Sequence, residues 1–549
     1  MAEFRADEVL LFDPVPAGRN AALQVVYAYP NEYSVGITSL GYQLVWAFFE
    51  THPDVSVARL FTDAHDQLPA APDLLGFSFA WELDYVNIMS VLEQLGIPLR
   101  AEDRDDSHPL VFGGGPVLTA NPEPYADFFD VVLVGDGEEL LTAFTDRLAE
   151  AKQQLAAAAG TSSPPRREML LALAQVPGVY VPQLYEPEYE SQTGALTGVR
   201  PVCAGVPAAV QKQTYRGSTL AASTVVSRRM AWENIFMAEV VRSCPEMCRF
   251  CMASYLTLPF RSAPLEGSLI PTLERGLAVT DRVGLLGASV TQHPEFGELL
   301  SWLMQPERQH VRLSIASVRT NTVTTELAAA LSARGTRSLT VAVESGSARL
   351  RQVVNKKLDS ADIIQCARNA QEGGLEGLKL YGMVGVPGER EEDVDATIDM
   401  LQQLKRAAPQ LRLTFGCSTF VPKAHTPFQW YGLSPEADKR LKRLEKALGR
   451  EGIDFRPESY KWSVVQALLS RGDRRLLPLL TLVRGYGDSL GSFRRAFNEL
   501  EGQLPPMEHY VQRSYEPTAE VLPWQHIQGP LPVGTLQKHL LEAQQLMGA

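Results

Sequence analysis

Two long stretches of the chain alternate short, continuously apolar segments with helical patterns. In residues 21–140 the apolar segments are LQVVYAY, VSVARLF, LLGFSFA, PLVFGGGP and DVVLVGD, and a helical stretch lies around residues 40–49. Strands that are apolar along their whole length are buried on both faces, which is typical of a parallel sheet covered by helices. The pattern predicts an α/β fold that begins with a doubly wound, Rossmann-like domain.

The second alternation predicts a different parallel architecture. Its strand-like segments are NIFMAEVVR, RVGLLGA, VRLSIAS, SLTVAVE, GLKLYGMVGV and LRLTFGC. Six βα units in succession predict a partial (βα)6 barrel, with the functional residues at the carboxyl ends of its strands. The remainder of the chain carries amphipathic stretches such as EADKRLKRLEKALGRE, which predict a smaller, mainly helical region.

The 549 residues exceed what one hydrophobic core serves, so we expect several domains. We place the Rossmann-like domain at 1–155, a linker with bridging strands at 156–232, the barrel at 233–430 and the helical region at 431–549. The linker contains GTSSPPRR, whose Gly, Ser and paired Pro mark an exposed loop. These boundaries are predictions from composition and periodicity.

Charge and hydropathy limit the partners of the chain. The net charge of -13 gives no general attraction to nucleic acid or to an anionic membrane. Neither a signal-peptide pattern at the start nor a run of 18 apolar residues is present. The sequence therefore predicts a cytoplasmic protein that has no membrane partner.

Glycines follow two of the predicted strands in the first domain. They lie at 113–115 and at positions 135 and 137, next to the expected crevice at the carboxyl edge of the sheet. Glycine permits either a close approach of the backbone to a ligand or a tight turn. The sequence leaves both interpretations open.

The clearest chemical signal is the segment RSCPEMCRFCMAS. It places Cys244, Cys248 and Cys251 at spacings of four and three, just after the first barrel strand. A [4Fe–4S] cluster ordinarily takes four thiolates, so three leave one iron open for catalysis. A zinc site is the alternative, but it requires a fourth ligand that no nearby Cys or His pair supplies. The remaining cysteines are interpreted as small buried apolar side chains: Cys203, Cys366 and Cys417.

CPEMCRFC, with the aromatic Phe250 before the last cysteine, resembles the C-x3-C-x2-C signature of the radical S-adenosylmethionine (SAM) superfamily. The resemblance implies an enzyme whose cluster binds SAM at the open iron and cleaves it to a 5′-deoxyadenosyl radical. It also implies a reductant such as flavodoxin or ferredoxin. The cofactor supplies the difficult chemistry, while the protein binds, orients and excludes water.

The same resemblance implies SAM contacts at the ends of later barrel strands. GLLGASV stands where the family has a Gly-Gly-Glu-Pro loop, from which it departs, and AVESGS and YGMVGVPGE follow. An arginine suits the SAM carboxylate, although a surface ion pair is the commoner role for arginine. The implied contacts are Phe250, Gly287, Ala288, Ser289, Arg319, Glu344, Ser345 and Gly385. No catalytic side chain is assigned.

A wider resemblance covers most of residues 20–430. Segments such as AYPNEYSVGITSLGY, PLVFGGGPVLTANPEPYADFF and STFVPKAHTPFQW look like radical SAM proteins that carry an amino-terminal cobalamin-binding-like domain. The family's cobalt-binding histidine is missing from PNEYSVG, and His65 is interpreted as a surface residue. The glycines of VFGGGPV lie where the family cradles the cobalamin nucleotide tail. The sequence therefore leaves open whether the domain binds cobalamin, because the argument rests on similarity of fold alone.

The sequence is compatible with three functions. The first is radical-based modification of an unidentified substrate, with methylation as the outcome if cobalamin is bound. The second is modification of RNA or protein, of the methylthiotransferase type. Basic runs at 439–450 and 471–475 suggest it, although such runs are usually the solvated faces of helices. The third is a non-enzymatic iron–sulfur or cobalamin-binding sensor, which would not need an open iron.

Overall fold

The computed structural model describes residues 3–15, 21–159, 164–191, 194–316, 318–487 and 489–548. Its first unit contains strands β1 (Val9–Leu10), β2 (Leu23–Ala28), β3 (Val55–Leu60), β4 (Leu74–Ser78), β5 (Leu110–Gly114), β6 (Val131–Leu133) and β7 (Val179–Tyr180). Its helices are α1 (Tyr33–Gly36), α2 (Leu40–Thr51), α3 (Tyr85–Gln94), α4 (Pro116–Ala120), α5 (Gly137–Ala159) and α6 (Arg166–Leu173).

Strands β2 to β7 form one sheet in the order β3-β2-β4-β5-β6-β7. All neighbours pair in parallel except β7, which runs antiparallel to β6. The continuously buried strands confirm the predicted parallel α/β domain. Helix α6 packs on α5 and β7 joins the sheet edge, so this unit continues past the boundary expected at residue 155. Part of the predicted linker, residues 160–163, lies outside the described residues.

Short strands connect the first unit to the barrel. They are β8 (Tyr185–Tyr189), β9 (Leu196–Pro201), β10 (Val210–Gln211) and β11 (Val225–Val226). Strands β8 and β9 form an antiparallel hairpin, and β11 pairs antiparallel with β1 at the start of the chain.

The barrel unit contains strands β12 (Ile235–Glu239), β13 (Val241–Arg242), β14 (Arg261–Ser262), β15 (Arg282–Leu286), β16 (Arg312–Ile315), β17 (Ser338–Glu344), β18 (Gly377–Val384), β19 (Arg412–Thr419) and β20 (Asp454–Pro457). Its helices are α7 (Met252–Tyr255), α8 (Ile270–Leu277), α9 (Phe296–Leu303), α10 (Thr325–Ala333), α11 (Ala348–Val353), α12 (Ser360–Glu372), α13 (Glu391–Ala407) and α14 (Ala437–Arg450).

The parallel order β12-β15-β16 continues through a Val318–Val341 bridge into β17-β18-β19-β20. The six predicted barrel strands are therefore present in the predicted order. Strand β20 adds a further parallel strand beyond them at the open edge. It is short and largely exposed, so it lacks the apolar run by which the other strands are recognised.

The last unit is mainly helical, as expected. It contains α15 (Tyr460–Arg471), α16 (Leu477–Tyr486), α17 (Leu490–Glu499), α18 (Met507–Val511), β21 (Ile527–Gln528) and α19 (Thr535–Gly548). Helices α15, α16 and α17 share one apolar core with the amino-terminal sheet. No helix in the described ranges combines the length and the apolar character that crossing a bilayer requires.

The basic run at 471–475 lies inside the molecule. The buried guanidinium of Arg471 donates to the carbonyls of Tyr510, Val511 and Arg513. Arg474 forms an ion pair with buried Glu123. The interpretation of this run as a solvated face or an RNA contact is therefore wrong, because its charges join the helical unit to the amino-terminal domain.

Candidate active site

The three clustered cysteines lie on the loop 243–251, which we call the cysteine loop, between β13 and α7. All three thiols line one cavity of about 320 Å³. The loop turns sharply at Ser243 and Met247, whose φ angles of 72° and 56° lie in the left-handed region. Two neighbouring hydrogen bonds stabilise these turns: Ser243 Oγ donates to the Ala253 carbonyl at 3.0 Å, and Asn355 Nδ2 to the Met247 carbonyl at 2.8 Å.

A second segment, residues 352–357, lies directly against the cysteine loop. The backbone N–H of Arg249 donates to the Val354 carbonyl at 3.0 Å. Its guanidinium donates to the Gln352 and Val353 carbonyls at 2.9 Å. Sequence reasoning missed this segment, since nothing in the letters VVNKK indicates what it contacts.

The chemistry of the donor set fits a cluster better than a single ion. Burial raises the pKa of Cys248 to about 12 and also raises the pKa of Cys251, so a metal must displace protons from these thiols. Within the described residues no group of three or more His, Cys, Asp or Glu side chains is placed to hold one metal ion. Three thiols that line one cavity suit a cluster, whose thiolates bind different irons.

Arg319 lines the same cavity, but its guanidinium already has a carboxylate partner. Arg319 Nη2 lies 3.1 Å from Glu246 Oε2 on the cysteine loop. Gln292 also donates to Glu246, at 2.5 Å, and Ser289 Oγ lies 2.6 Å from Gln292 Oε1. The residue expected to bind the SAM carboxylate thus also supports the cysteine loop.

Glu344 and Lys356 bring one negative and one positive group to the cavity. Their carboxylate and ammonium lie 2.9 Å apart, and both side chains are largely buried. Glu344 ends β17 with a φ of 64°, next to a shift in strand register. A non-glycine residue held in this conformation is uncommon and often marks a functional position. No sequence pattern identified Lys356 as a residue of the site.

The predicted SAM contacts separate into two groups. Phe250, Ala288, Ser289, Arg319 and Glu344 line the cavity of the cysteines. Gly287, Ser345 and Gly385 do not line it. Ser345 is buried beside Thr397, and the Gly385 N–H donates to Glu389 at 2.5 Å.

A second cavity, of about 470 Å³, lies at the carboxyl edge of β2, β4, β5 and β6. On the sheet side it is lined mainly by apolar side chains and by the backbone of Gly114 and Gly137, together with the carboxylates Asp136 and Glu138. On the barrel side it reaches Leu286 and Gly287, directly before Ala288 and Ser289 of the first cavity. Consecutive residues of one loop at the end of β15 therefore line the two cavities.

Close packing within the chain explains why two positions at the carboxyl edge of the sheet are glycine. A Cβ at Gly115 would lie 2.5 Å from the Phe79 carbonyl oxygen, and one at Gly135 would lie 2.2 Å from that of Gln213. At Gly114 the nearest atom would be 3.8 Å away. Tight packing thus accounts for Gly115 and Gly135, whereas Gly114 lies open to the cavity.

Two protein families match this chain. The family described as radical SAM proteins, N-terminal, matches residues 46–182, and the radical SAM superfamily matches residues 239–401. Together the two matches cover more than half of the chain. The chain belongs to the radical SAM superfamily. It is an enzyme, and enzymes of this superfamily use a [4Fe–4S] cluster and SAM.

Two known proteins resemble this radical SAM enzyme, one along most of its length and one along a part of it. An uncharacterized protein of Methanocaldococcus jannaschii is 26% identical over 456 residues, which cover 82% of this chain and 89% of that protein. The tRNA-2-methylthio-N(6)-dimethylallyladenosine synthase of Wolbachia sp. subsp. Brugia malayi is 23% identical over 229 residues. That match covers 39% of this chain and only 50% of the synthase.

Solved structures with a related arrangement share little sequence. The radical SAM methyltransferase TsrM of Kitasatospora setae, solved with cobalamin and a [4Fe–4S] cluster, is 15% identical. The match covers 87% of this chain and 99% of TsrM, with a TM-score of 0.48. The cobalamin-dependent SAM radical enzyme OxsB is 11% identical over 88% of this chain and 71% of OxsB, with a TM-score of 0.46.

We expect Arg319→Gln to impair cluster retention more than SAM affinity, because the ion pair of Arg319 with Glu246 supports the cysteine loop. Iron retained per chain after desalting should fall by roughly 10-fold, the usual scale for losing a residue that orients metal ligands. The Kd for SAM, measured on the chains that keep iron, should change little. Full iron retention with a large loss of SAM affinity would favour direct contact between Arg319 and SAM.

Proposed function

We propose that this enzyme holds its [4Fe–4S] cluster on Cys244, Cys248 and Cys251 and uses SAM to modify a second molecule by radical chemistry. When bound and reduced, the cluster supplies the electron that cleaves SAM to a carbon radical. Glu344 and Lys356 offer opposite charges to the amino and carboxylate groups of SAM. The reductant is expected to be a small electron carrier such as flavodoxin or ferredoxin.

The carboxyl-terminal helix supports this site by covering the cysteine loop. Tyr255 and His539 are hydrogen bonded at 2.9 Å, and Arg249 Nη2 lies 3.2 Å from Glu542 Oε2. Leu540 of the same helix is buried in an apolar cluster that Phe250, Met252 and Leu256 also contact. Such a cover keeps water and oxygen away from a reactive centre.

The cavity of the amino-terminal domain is proposed to hold cobalamin, with methyl transfer as the outcome. The observation that carries this proposal is that consecutive residues of the β15 loop line the two cavities. No histidine stands in PNEYSVG, and His65 is exposed, so no imidazole is available at the usual position. The residues that would hold the group are the apolar lining, such as Phe77 and Phe112, and the backbone of Gly114 and Gly137.

The proposal is tested by anaerobic reconstitution, reduction with dithionite and addition of SAM. Formation of 5′-deoxyadenosine measures radical cleavage, and the visible spectrum of the desalted protein measures bound corrinoid. Both signals together support a cobalamin-dependent methylase. Cleavage without corrinoid would overturn the cobalamin part alone, and a clustered protein that neither binds nor cleaves SAM would overturn the whole proposal.

Gly114→Val should reduce corrinoid binding without affecting the cluster. The new side chain has room in the folded chain, where the nearest atom to its Cβ is 3.8 Å away, but it projects into the second cavity. Overfilling a site of this kind costs about 1–3 kcal/mol, so bound corrinoid should fall by roughly 10-fold. Iron content should be unchanged. Gly297→Ala is the control and should bind corrinoid normally, because Gly297 on α9 has open space around it and does not line the second cavity.

A second candidate is modification of RNA of the methylthiotransferase type. Its support is the partial similarity to the Wolbachia tRNA synthase. The basic face of α14 adds little, because Arg440 lies 2.7 Å from Glu389 and Arg443 pairs with Glu391. Binding to bulk tRNA that weakens steeply with salt would favour this candidate, since phosphate contacts release counterions.

A further inference from the structure

A third cavity, of about 590 Å³, lies inside the open side of the barrel and joins the site of the cysteines. It is lined by residues of β17, β18, β19 and β20 and shares Phe250, Glu344 and Tyr381 with the first cavity. We call it the lumen cavity. A molecule bound there would lie next to the place where SAM is expected.

The lining of the lumen cavity follows from strand alternation on β18. Leu378, Leu380 and Gly382 are buried, while Lys379 and Tyr381 point into the barrel. Tyr381 is 55% exposed, which is unusual for a large aromatic side chain in the middle of a barrel strand. It therefore presents an apolar surface to a ligand.

Two charged side chains that line this cavity, Lys379 and the exposed Glu458, form no ion pair with any described residue. Arg456 is paired with Asp454 at 2.8 Å, and Lys356 with Glu344 at 2.9 Å. Lys379 is half-buried, and its ammonium forms no ion pair or hydrogen bond with any residue in the described ranges. A partly buried cation is normally paired, so this ammonium is available to an anionic ligand.

We infer that the lumen cavity binds a small substrate with one anionic group, a carboxylate or a phosphate, which contacts Lys379. Tyr381 packs against the apolar part of the same substrate. Two residues along a strand span about 7 Å, so the carbon that reacts lies roughly that far from the anionic group, toward the cluster end of the barrel. The inference rests on the proposed function, because it names the class of molecule that the radical modifies.

The test uses the reconstituted 549-residue protein with SAM and three probes of similar size. They are 3-phenylpropionate, phenyl phosphate and the neutral 3-phenylpropan-1-ol, with Kd measured by calorimetry. At least one anion should bind roughly 10-fold more tightly than the alcohol, the scale of a hydrogen bond to a charged group. The anion with the lower Kd shows whether the site prefers a carboxylate or a phosphate.

Variants assign the preference to its residue. Lys379→Met should abolish the anion preference and leave alcohol binding unchanged, whereas Lys379→Arg should retain it. Lys439→Met, which changes an exposed lysine on α14, is the control and should behave as wild type. An unchanged preference in Lys379→Met, or anions that bind no better than the alcohol to the wild-type protein, would overturn the inference.

The same preparation separates this inference from the proposed function. A protein that cleaves SAM but shows no anion preference contradicts the lumen assignment alone. A protein that binds the anions but never cleaves SAM contradicts the proposed radical chemistry, and the binding result is unaffected. Neither outcome depends on knowing the natural substrate.

Discussion

Cys248→Ala should leave a folded protein without its cluster. The variant should retain little iron and should lower 5′-deoxyadenosine formation by roughly 1,000-fold or more, because the reaction has no alternative source of the electron. Cys244→Ala and Cys251→Ala should give the same result, since all three thiols line one cavity. Iron content and deoxyadenosine are measured on the same anaerobic samples.

The other cysteines provide matched controls for this prediction. Cys366 is buried in helix α12 and Cys203 is half-buried, and neither lines the cavity of the cysteine loop. Cys366→Ala and Cys203→Ser should keep iron and SAM cleavage near the wild-type level. Cleavage that survives in Cys248→Ala, or that is lost in Cys203→Ser, would contradict the assignment of the cluster.

Arg474→Met should have the largest effect on stability. Arg474 Nε and Nη2 lie 3.1 and 3.2 Å from the two carboxylate oxygens of Glu123, and the guanidinium also donates to the Tyr180 hydroxyl at 2.5 Å. Burial opposes the charge of Glu123, but Arg474 nevertheless holds the pKa of this carboxyl below its usual value. Removing one partner of such a buried pair costs about 3–5 kcal/mol.

The free energy of unfolding in urea, followed by tryptophan fluorescence, measures this cost. An exposed pair is the control: Arg200 and Glu188 are 66% and 47% exposed, so Arg200→Met should cost less than about 1 kcal/mol. The double variant Glu123→Gln with Arg474→Met should regain part of the lost stability, because no unpaired charge stays buried. Equal effects of Arg474→Met and Arg200→Met would show that the pair between the two units contributes little.

The sequence was sufficient to predict the elements that depend on local pattern. Continuous apolar runs such as LLGFSFA predicted the buried parallel strands, and the cysteine spacing predicted which thiols share a site. Strand β20 was missed because its exposed residues form no apolar run. Of the three isolated cysteines, Cys366 and Cys417 are buried as predicted, whereas Cys203 is only half-buried.

The features that the sequence did not predict depend on contacts between distant residues. Arg319 and Glu246 are 73 positions apart, so no local rule shows that they pair. Arginines are usually solvated, and the burial of Arg471 arises only because α18 brings free carbonyl groups to it. Lys379 belongs to no sequence motif, and its significance comes from its position in the lumen cavity without an ion-pair partner among the described residues.

The most direct test of the account is the electron paramagnetic resonance spectrum of the reduced, reconstituted protein before and after addition of SAM. Three cysteine ligands leave one iron open, so the account predicts a [4Fe–4S] signal whose g-values shift when SAM binds that iron. A cluster signal that SAM does not alter would contradict the claim that this site activates SAM.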